Sequence, residues 1–333
     1  MKTTSILMQT LCVPCLCHCR YCLLSWDRHL TGAPYERSAT YARRFADWLQ
    51  ANRPEISFNF AFGYSMEHPR LFEALDFLRS IGSVSARLLQ LDGVKIRTET
   101  ECAEWMCSLR AHGVEQVNLT FYGLREAHDR FAERPGEFDN LLRLAAAAQN
   151  AGIGVSAGIP LTAQSAPETD ALLDLLAHWG LTDCRLFVPH EEGRGVCLND
   201  VRFSLRDEQL LSDRAKSRFN RTLYRPEREW LTGRFFRPAE NRLLLISLTP
   251  ENIVEYESMP PEAVIEAVER LDDAFYAAIP PLEALCARYG DPQGDRFFGQ
   301  RDLYQHYQKR FLQETGLSLY DVTDERFTGS RRY

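Results

Sequence analysis

The sequence predicts an α/β domain in which short strands alternate with amphipathic helices, followed by a helix-rich C-terminal region. Three observations carry this. As far as Val188, short apolar runs alternate with longer runs of helical periodicity. The strand starts recur at the spacing of βα units. Beyond Asn199 the alternation stops.

In order, the predicted strands are Ser5–Thr10, Ser57–Phe62, Ala86–Leu91, Val117–Tyr122, Gly154–Pro160 and Cys184–Val188. Between them the spacing predicts helices over Tyr41–Ala51, Leu71–Ile81, Glu99–Ala111, Phe138–Ala151 and Glu168–Trp179. Ser38 and Thr98 stand where N-caps are needed. Gly82, Gly113, Gly152 and Gly180 stand where helices stop. Six such units point to a parallel sheet wrapped by helices. A flat doubly wound sheet and a curved partial barrel give the same periodicity. In either, the site lies at the C-terminal ends of the strands.

Residues 1–199 therefore read as one core domain. Residues 200–333 read as a C-terminal region that caps the substrate, mostly helical with one strand over Arg242–Leu248. Its helical patterns are Pro261–Tyr289 and Asp302–Thr315, and Thr328–Tyr333 reads as a loose tail. Between residues 200 and 240 arginines alternate with aromatics. Tyr224, Trp230, Phe235 and Phe236 read as anchors of a covering element, with a substrate-pocket wall as the alternative.

The chain has 333 residues, 45% of them hydrophobic, enough for a substantial core. Its formal net charge is -7, from 39 basic and 46 acidic residues. That balance gives no electrostatic footprint for nucleic acid or an anionic membrane. No apolar run is long enough to span a bilayer. The opening stretch, MKTTSILMQTLCVPCLC, lacks the longer apolar core and cleavage site of a signal peptide. The expected setting is a reducing cytoplasm, where thiols stay available for metal.

Five cysteines fall within the run CVPCLCHCRYC: Cys12, Cys15, Cys17, Cys19 and Cys22. They sit just after the first strand, where the fold argument puts the site. A zinc ribbon needs its two C-x-x-C knuckles a dozen or more residues apart, and here only three residues separate them. The usual ferredoxin spacing is absent. Cys12 and Cys15 have the spacing of a thioredoxin-like redox pair, but not the surrounding fold pattern. Cys15, Cys19 and Cys22 stand as C-x3-C-x2-C, a triad that leaves one position of a four-metal cluster open.

The segment CLCHCRYC resembles the signature of the radical S-adenosylmethionine (radical SAM) superfamily, including the aromatic Tyr21 before the last cysteine. The resemblance covers about residues 5–195. VNLTFYGLREAHDRFAERPGEFDNLLRLAAAAQNAGIGV is similar to the fourth strand, fourth helix and fifth strand of members that modify peptides or build cofactors. HPRLFEALDFLRSIG resembles the second helix, and RLFVPHEEGRG the sixth strand with its loop. The resemblance implies a partial (β/α)6 barrel, open on one side. It implies one 4Fe–4S cluster held by Cys15, Cys19 and Cys22, with SAM chelating the fourth iron. One electron would cleave SAM to methionine and a 5′-deoxyadenosyl radical, which abstracts hydrogen from a substrate. Cys12 and Cys17 are extra to the signature, and His18 reads as a loop residue.

One segment departs from the family. Its Gly-Gly-Glu after the second strand, whose glutamate contacts the SAM amino group, is matched here by AFGYSMEHP. Gly63 fits the second glycine, but Tyr64 replaces the glutamate, and Ser65 or Glu67 is left as a polar substitute. The cofactor contacts implied are Tyr21, Gly63, Ser65, Thr120, Ser156 and Val188; Asp92-Gly93 reads first as a turn and second as a cofactor contact, Arg130 and Arg134 are candidates for the SAM carboxylate, and Gly158 and Phe187 for its adenosine. Only Cys197 and Cys286 lie in the C-terminal third, too few for an auxiliary cluster. The expected partners are a peptide or small-metabolite substrate and an external one-electron reductant such as flavodoxin or ferredoxin. The rival readings are a non-catalytic iron–sulfur electron carrier or sensor, and a degenerate member that holds the cluster without cleaving SAM.

Overall fold

Strand β1 (Lys2–Val13) has a parallel neighbour on each side. On one side lies β2 (Ser57–Tyr64), with Ser5 opposite Ser57 and Leu11 opposite Gly63. The computed structural model describes residues 1–13, 15–22, 32–64, 66–191, 193–233, 240–317 and 329–332. Between β1 and β2 runs α1 (Tyr35–Asn52), and after β2 runs α2 (Leu71–Ser80). A second parallel sheet follows in chain order: β3 (Leu88–Gln90), β4 (Gln116–Thr120), β5 (Gly154–Pro160) and β6 (Cys184–Phe187). Its connections are α3 (Glu99–Ala111), the pair α4 (Arg125–Ala132) and α5 (Glu137–Asn150), and α6 (Thr169–His178). The six expected strands and the five helical connections between them are therefore present, and among the described residues they form an open α/β arrangement of two sheets.

The break between the sheets falls at β2 and β3, and its cause is local. A short 3-10 turn, Val84–Ala86, precedes β3 and leaves it only three residues long. The edge of β2 is satisfied by side chains instead: Ser83 Oγ donates to the Phe60 carbonyl (2.7 Å), and Asn59 Nδ2 donates to Ser85 Oγ (2.9 Å). An apolar cavity of about 300 Å³ lies in the break, lined by Phe62, Met66, Leu71, Leu75 and Leu89 among others. The two rims are tied by Glu67, which accepts from the Lys95 backbone N–H (2.7 Å) and pairs with Arg97 (2.8 Å).

Most of the local signals are realised. Thr98 caps α3 in a reciprocal box with Glu101, an arrangement worth about 1 kcal/mol. Gly82, Gly113, Gly152 and Gly180 follow their helices with positive φ. Ser38 is not a cap. Helix α1 begins at Tyr35, because Pro34 pre-sets the entry φ. Ser38 lies inside the first turn, donating to the Ala33 carbonyl (3.3 Å). Helix α4 is absent from the sequence reading because REAHDRFA buries only His128 and Ala132.

The C-terminal region begins with three short helices, α7 (Leu205–Glu208), α8 (Asp213–Lys216) and α9 (Glu227–Trp230). It also holds a small antiparallel pair, β7 (Tyr224–Pro226) with β9 (Phe297–Gly299). The strand expected at Arg242–Leu248 is β8 (Asn241–Leu248). It joins the first sheet, parallel to β1. Residues 329–332, expected as loose tail, form β10, antiparallel to β8. After β8 come α10 (Asn252–Ser258), α11 (Pro261–Ala278), α12 (Leu282–Tyr289) and α13 (Gln300–Thr315). The single helix expected over Pro261–Tyr289 is two, broken at Pro280–Pro281. No described helix is long and apolar enough to cross a membrane.

Alternation along the strands sorts the two faces. Ile6, Met8, Phe60, Leu244 and Ile246 pack on α1 and α11, while Leu89, Val117, Leu119, Ala157 and Leu186 pack on α3, α5 and α6. The opposite face carries Gln9, Asn59, Gly63, Gln90, Asn118, Thr120, Ser156 and Gly158, a polar and small-residue lining set by the period of two.

Candidate active site

The cysteine loop, residues 15–22, follows β1 and is held by its backbone. Leu16 N–H donates to the Gly93 carbonyl (2.9 Å), His18 N–H to Ala132 (2.9 Å) and Arg20 N–H to Phe131 (3.2 Å). At the far end Arg194 N–H donates to the Cys22 carbonyl (3.0 Å). The loop is thus pinned to the turn after β3, to the last turn of α4 and to the segment after β6. Because the anchors are main-chain groups, the thiols remain available for chemistry.

Cys17 and Cys19 are buried with Tyr122 and Ala132, and Cys15, Tyr21, Cys22 and Phe131 pack against them. Cys17 interacts with both Cys15 and Cys19. Its hydrogen bond and burial push the Cys15 thiol well above its ordinary range. The Cys15 sulfur lies 3.8 Å from the Asp92 carbonyl. A Cβ on Gly93 would stand 1.9 Å from it, so the absent side chain makes the cradle for that sulfur. The nine described cysteines are all free thiols. Four soft donors on one anchored loop suit a metal–sulfur group in kind. Among the described residues no three metal-ligating side chains already converge on one point. Cys12 has no described side chain.

Tyr21 meets Tyr122 edge-on at 5.3 Å and Phe131 at 5.6 Å. The Tyr122 hydroxyl is 3.1 Å from that of Tyr21 and 3.5 Å from the Cys19 sulfur. The Tyr122 hydroxyl donates to that of Tyr21, so the two phenols are joined beside the Cys19 sulfur. Burial pushes both phenols up. Under Tyr122 lies His128, stacked at 5.2 Å, whose Nδ1 accepts from the Tyr122 backbone N–H (3.2 Å). Burial pushes this imidazole down to about 4. The unfolded chain takes up the proton near pH 6.5 and the folded chain only near 4. Stability from His128 is therefore complete above pH 6.5 and falls as pH drops towards 4, by about 3 kcal/mol. Urea titrations across that window should show the slope, and His128→Asn should flatten it.

Thr120 ends β4 on the polar face. Its backbone N–H and hydroxyl both donate to the Asp92 carboxylate (2.8 and 2.7 Å), which Gln90 also reaches. Burial pushes Asp92 up to about 6, against the pull of those bonds. Ser156 lies on the same face of β5, accepting from Gln116 (3.1 Å) and bonded to Asn118. Gly63 lies on the equivalent face of β2. Val188 is one residue past β6 and belongs to the helix-facing core, whereas Phe187 lies against Gly158. Ser65 falls outside the described residues, as do Phe235 and Phe236 and the side chain of Tyr64. Arg134 is committed to the Val94 carbonyl (2.7 Å) and Glu137 (2.8 Å), and Arg130 is exposed. Glu67 is committed to Arg97 and the Lys95 backbone. Sequence reasoning missed Tyr122 and His128. The available signal was an aromatic pair, Phe121-Tyr122, running directly off a strand end.

The loop after β6 forms a second polar wall. His190 Nδ1 is 3.1 Å from Asp302 of α13, and Glu191 N–H also reaches Asp302 (3.3 Å). Buried Glu191 lies 3.6 Å from buried Arg202, whose guanidinium covers Phe298 at 4.1 Å. Trp230 is buried with its Nε1 on the Phe298 carbonyl (2.9 Å), and Tyr224 stacks on Phe219. Tyr224 also packs against the apolar cluster that contains the core strands, whereas Trp230 packs within the C-terminal region itself.

No family model and no curated protein matches this chain. Solved structures of radical SAM enzymes resemble it. Coproporphyrinogen III oxidase (HemN) from Escherichia coli, a radical SAM enzyme, is 12% identical, with 64% of this chain and 48% of that one covered at a TM-score of 0.37. Native anSMEcpe with bound AdoMet is 16% identical over 57% of this chain and 53% of its own, at 0.40. HydG, a maturase of the FeFe hydrogenase, is 14% identical over 65% and 50%, at 0.41. The chain spans about half the length of each of these structures.

Proposed function

We propose that this chain is a radical SAM enzyme, in which Cys15, Cys19 and Cys22 hold one 4Fe–4S cluster. One observation carries the reading: a C-x3-C-x2-C loop after the first parallel strand, pinned by its backbone, with its cysteines packed in one cluster with Tyr21, Tyr122 and Phe131. When bound, such a cluster supplies the electron for reductive cleavage of SAM to methionine and a 5′-deoxyadenosyl radical. The chain's own part is to hold and shield. Tyr21, Tyr122 and Phe131 pack around the buried Cys17 and Cys19. Thr120 and Ser156 offer polar contacts on the face that meets SAM, with Gly63 leaving room for it. The region 200–333 covers the substrate, a peptide or small metabolite that loses hydrogen. The electron comes from an external carrier such as flavodoxin or ferredoxin, in a reducing cytoplasm.

The test is anaerobic reconstitution with iron and sulfide, then dithionite and SAM, with 5′-deoxyadenosine as readout. Alanine at Cys15, Cys19 or Cys22 should each lower bound iron at least about tenfold and reduce 5′-deoxyadenosine to background. Cys17→Ala should keep its cluster, and its loss would overturn this ligand set. Bound zinc without iron or sulfide would overturn the function. A second reading is a chain that holds the cluster without cleaving SAM. It is favoured by Tyr64 at the glutamate position and by the commitment of Glu67 elsewhere. A full cluster with no 5′-deoxyadenosine, whether or not candidate substrates are present, is its signature.

A further inference from the structure

Two apolar cores meet at the break between β2 and β3, and a cavity of about 300 Å³ lies between them. Phe62 and Leu78 belong to one core, and Leu71, Leu75 and Leu89 to the other. Side-chain bonds frame the break at both ends. Asn59 donates to Ser85 (2.9 Å) ahead of β3, and Glu67 joins Arg97 (2.8 Å) beyond the ends of both strands. The two strands are therefore held at a fixed spacing although they belong to different sheets.

The course of the cavity follows from the period of two. Ala61 and Phe62 are neighbours on β2 and point to opposite faces, as Leu89 and Gln90 do on β3, yet all four line the cavity. It therefore runs through the break, from the helix side to the polar face. Leu88 shares the face of Gln90, lines the cavity and is 44% exposed, an apolar side chain set among polar ones. The Gln90 amide nitrogen is committed to Asp92 and to Thr120 (3.2 Å), while its carbonyl oxygen accepts from no described residue.

Protein interiors are close-packed, and a slot with apolar walls and one or two polar groups at its mouth is the usual form of a small-molecule site. An apolar cavity of about 150 Å³ takes up benzene. This one has about twice that volume, enough for an aromatic ring or a branched alkyl chain.

We propose that the slot between β2 and β3 is the subsite for a large apolar side group of the substrate, with an adjoining N–H or O–H of that substrate donating to the Gln90 carbonyl. The assignment to a substrate rests on the radical SAM reading above. The affinity of the slot for such a group does not.

The experiment uses the full chain, reconstituted with iron and sulfide, and repeats the measurement without them. Ligand-observed NMR titrations follow N-acetyl-tryptophanamide, N-acetyl-leucinamide, N-acetyl-asparaginamide and indole, beside melting temperatures. Wild type should bind the tryptophan and leucine amides at least about tenfold more tightly than the asparagine amide, the scale of burying one large apolar side chain. Ala74→Phe, which puts a ring into the slot from α2, should abolish binding of every probe. Should Ala74→Phe fail to fold, Leu88→Asp, at an exposed position on the mouth, should weaken the tryptophan and leucine amides at least about fivefold. Gln90→Ala should weaken those two amides about fivefold and leave indole unchanged, since it removes one hydrogen bond and no apolar wall. Equal affinity for the three amides overturns the proposal, as does binding that both the slot variant and the mouth variant leave unchanged. Formation of 5′-deoxyadenosine by a chain that binds no probe overturns the slot and leaves the radical SAM reading standing. The expected preferences in a chain that forms no 5′-deoxyadenosine support the slot as an apolar ligand site and remove only the reaction.

Discussion

Replacing Gly93 by alanine is expected to strip the reconstituted chain of nearly all its iron, although Gly93 contributes no ligand atom. The added Cβ would stand 1.9 Å from the Cys15 sulfur, and 3.2 and 3.3 Å from the backbone nitrogens of Leu16 and Cys17. The sulfur could swing away alone, but then it leaves the cluster of cysteines and aromatics on the loop. The loop could retreat as a unit, but then it breaks the Leu16 bond to the Gly93 carbonyl and, beyond it, those of His18 and Arg20. Either response removes Cys15 from the donor set. A backbone cost of about 1–2 kcal/mol is added, because φ at Gly93 is +69°, where an alanine is strained. Gly82→Ala separates the two effects. Gly82 has nearly the same φ, +71°, with nothing within 4 Å of the added atom. It should show the backbone cost alone and keep its iron. The measurement is iron and sulfide per chain after reconstitution, beside melting temperatures. Gly93→Ala should retain less than about a tenth of the wild-type iron. Full iron in that variant would show that Cys15 is not a ligand held by this loop.

The parts of this molecule legible in its sequence are those fixed by local chemistry. Alternation marked the strands because one face of each packs on helices, as at Val117 and Leu119, while the other stays polar, as at Asn118 and Thr120. Thr98 was readable as a cap because a threonine three residues before Glu101 can satisfy two backbone donors within one turn. What failed depended on distant partners. Helix α4 was invisible because it is fixed by Asp129 receiving the N–H groups of Gly136 and Phe138 (2.6 and 2.9 Å), not by an apolar stripe. The pairing of residues 329–332 with β8 spans most of the C-terminal region and leaves no local signal. At the site the spacing of Cys15, Cys19 and Cys22 was readable. The burial of Cys17 between its neighbours, and the hold of Thr120 and Gln90 on Asp92, are products of packing.

Replacing Arg242 by methionine is expected to be among the most destabilising changes in the C-terminal region, by about 3–5 kcal/mol. Arg242 sits near the start of β8 with its guanidinium almost wholly buried. Its Nε donates to Thr3 Oγ1 of β1 (3.3 Å), Nη1 to Asp272 (3.3 Å) and Asp273 (2.7 Å), and Nη2 pairs with Glu269 (3.0 Å). Methionine fills much of the volume but leaves the fully buried Asp272 without this cation, and a charge stranded in that way is costly. Asp273→Asn is the control. Its carboxylate is 59% exposed, so the change should cost no more than about 1 kcal/mol. Removing both buried charges, in Arg242→Met with Asp272→Leu, should recover part of the loss. Denaturant titrations decide, and an Arg242→Met no less stable than Asp273→Asn would defeat the argument. The larger point concerns how the chain is built. Arg242 joins α11 to β8 and β8 to β1, the strand that leads into the cysteine loop. If its loss lowers the stability of the whole chain, residues 241–248 are a structural member of the sheet that carries the site.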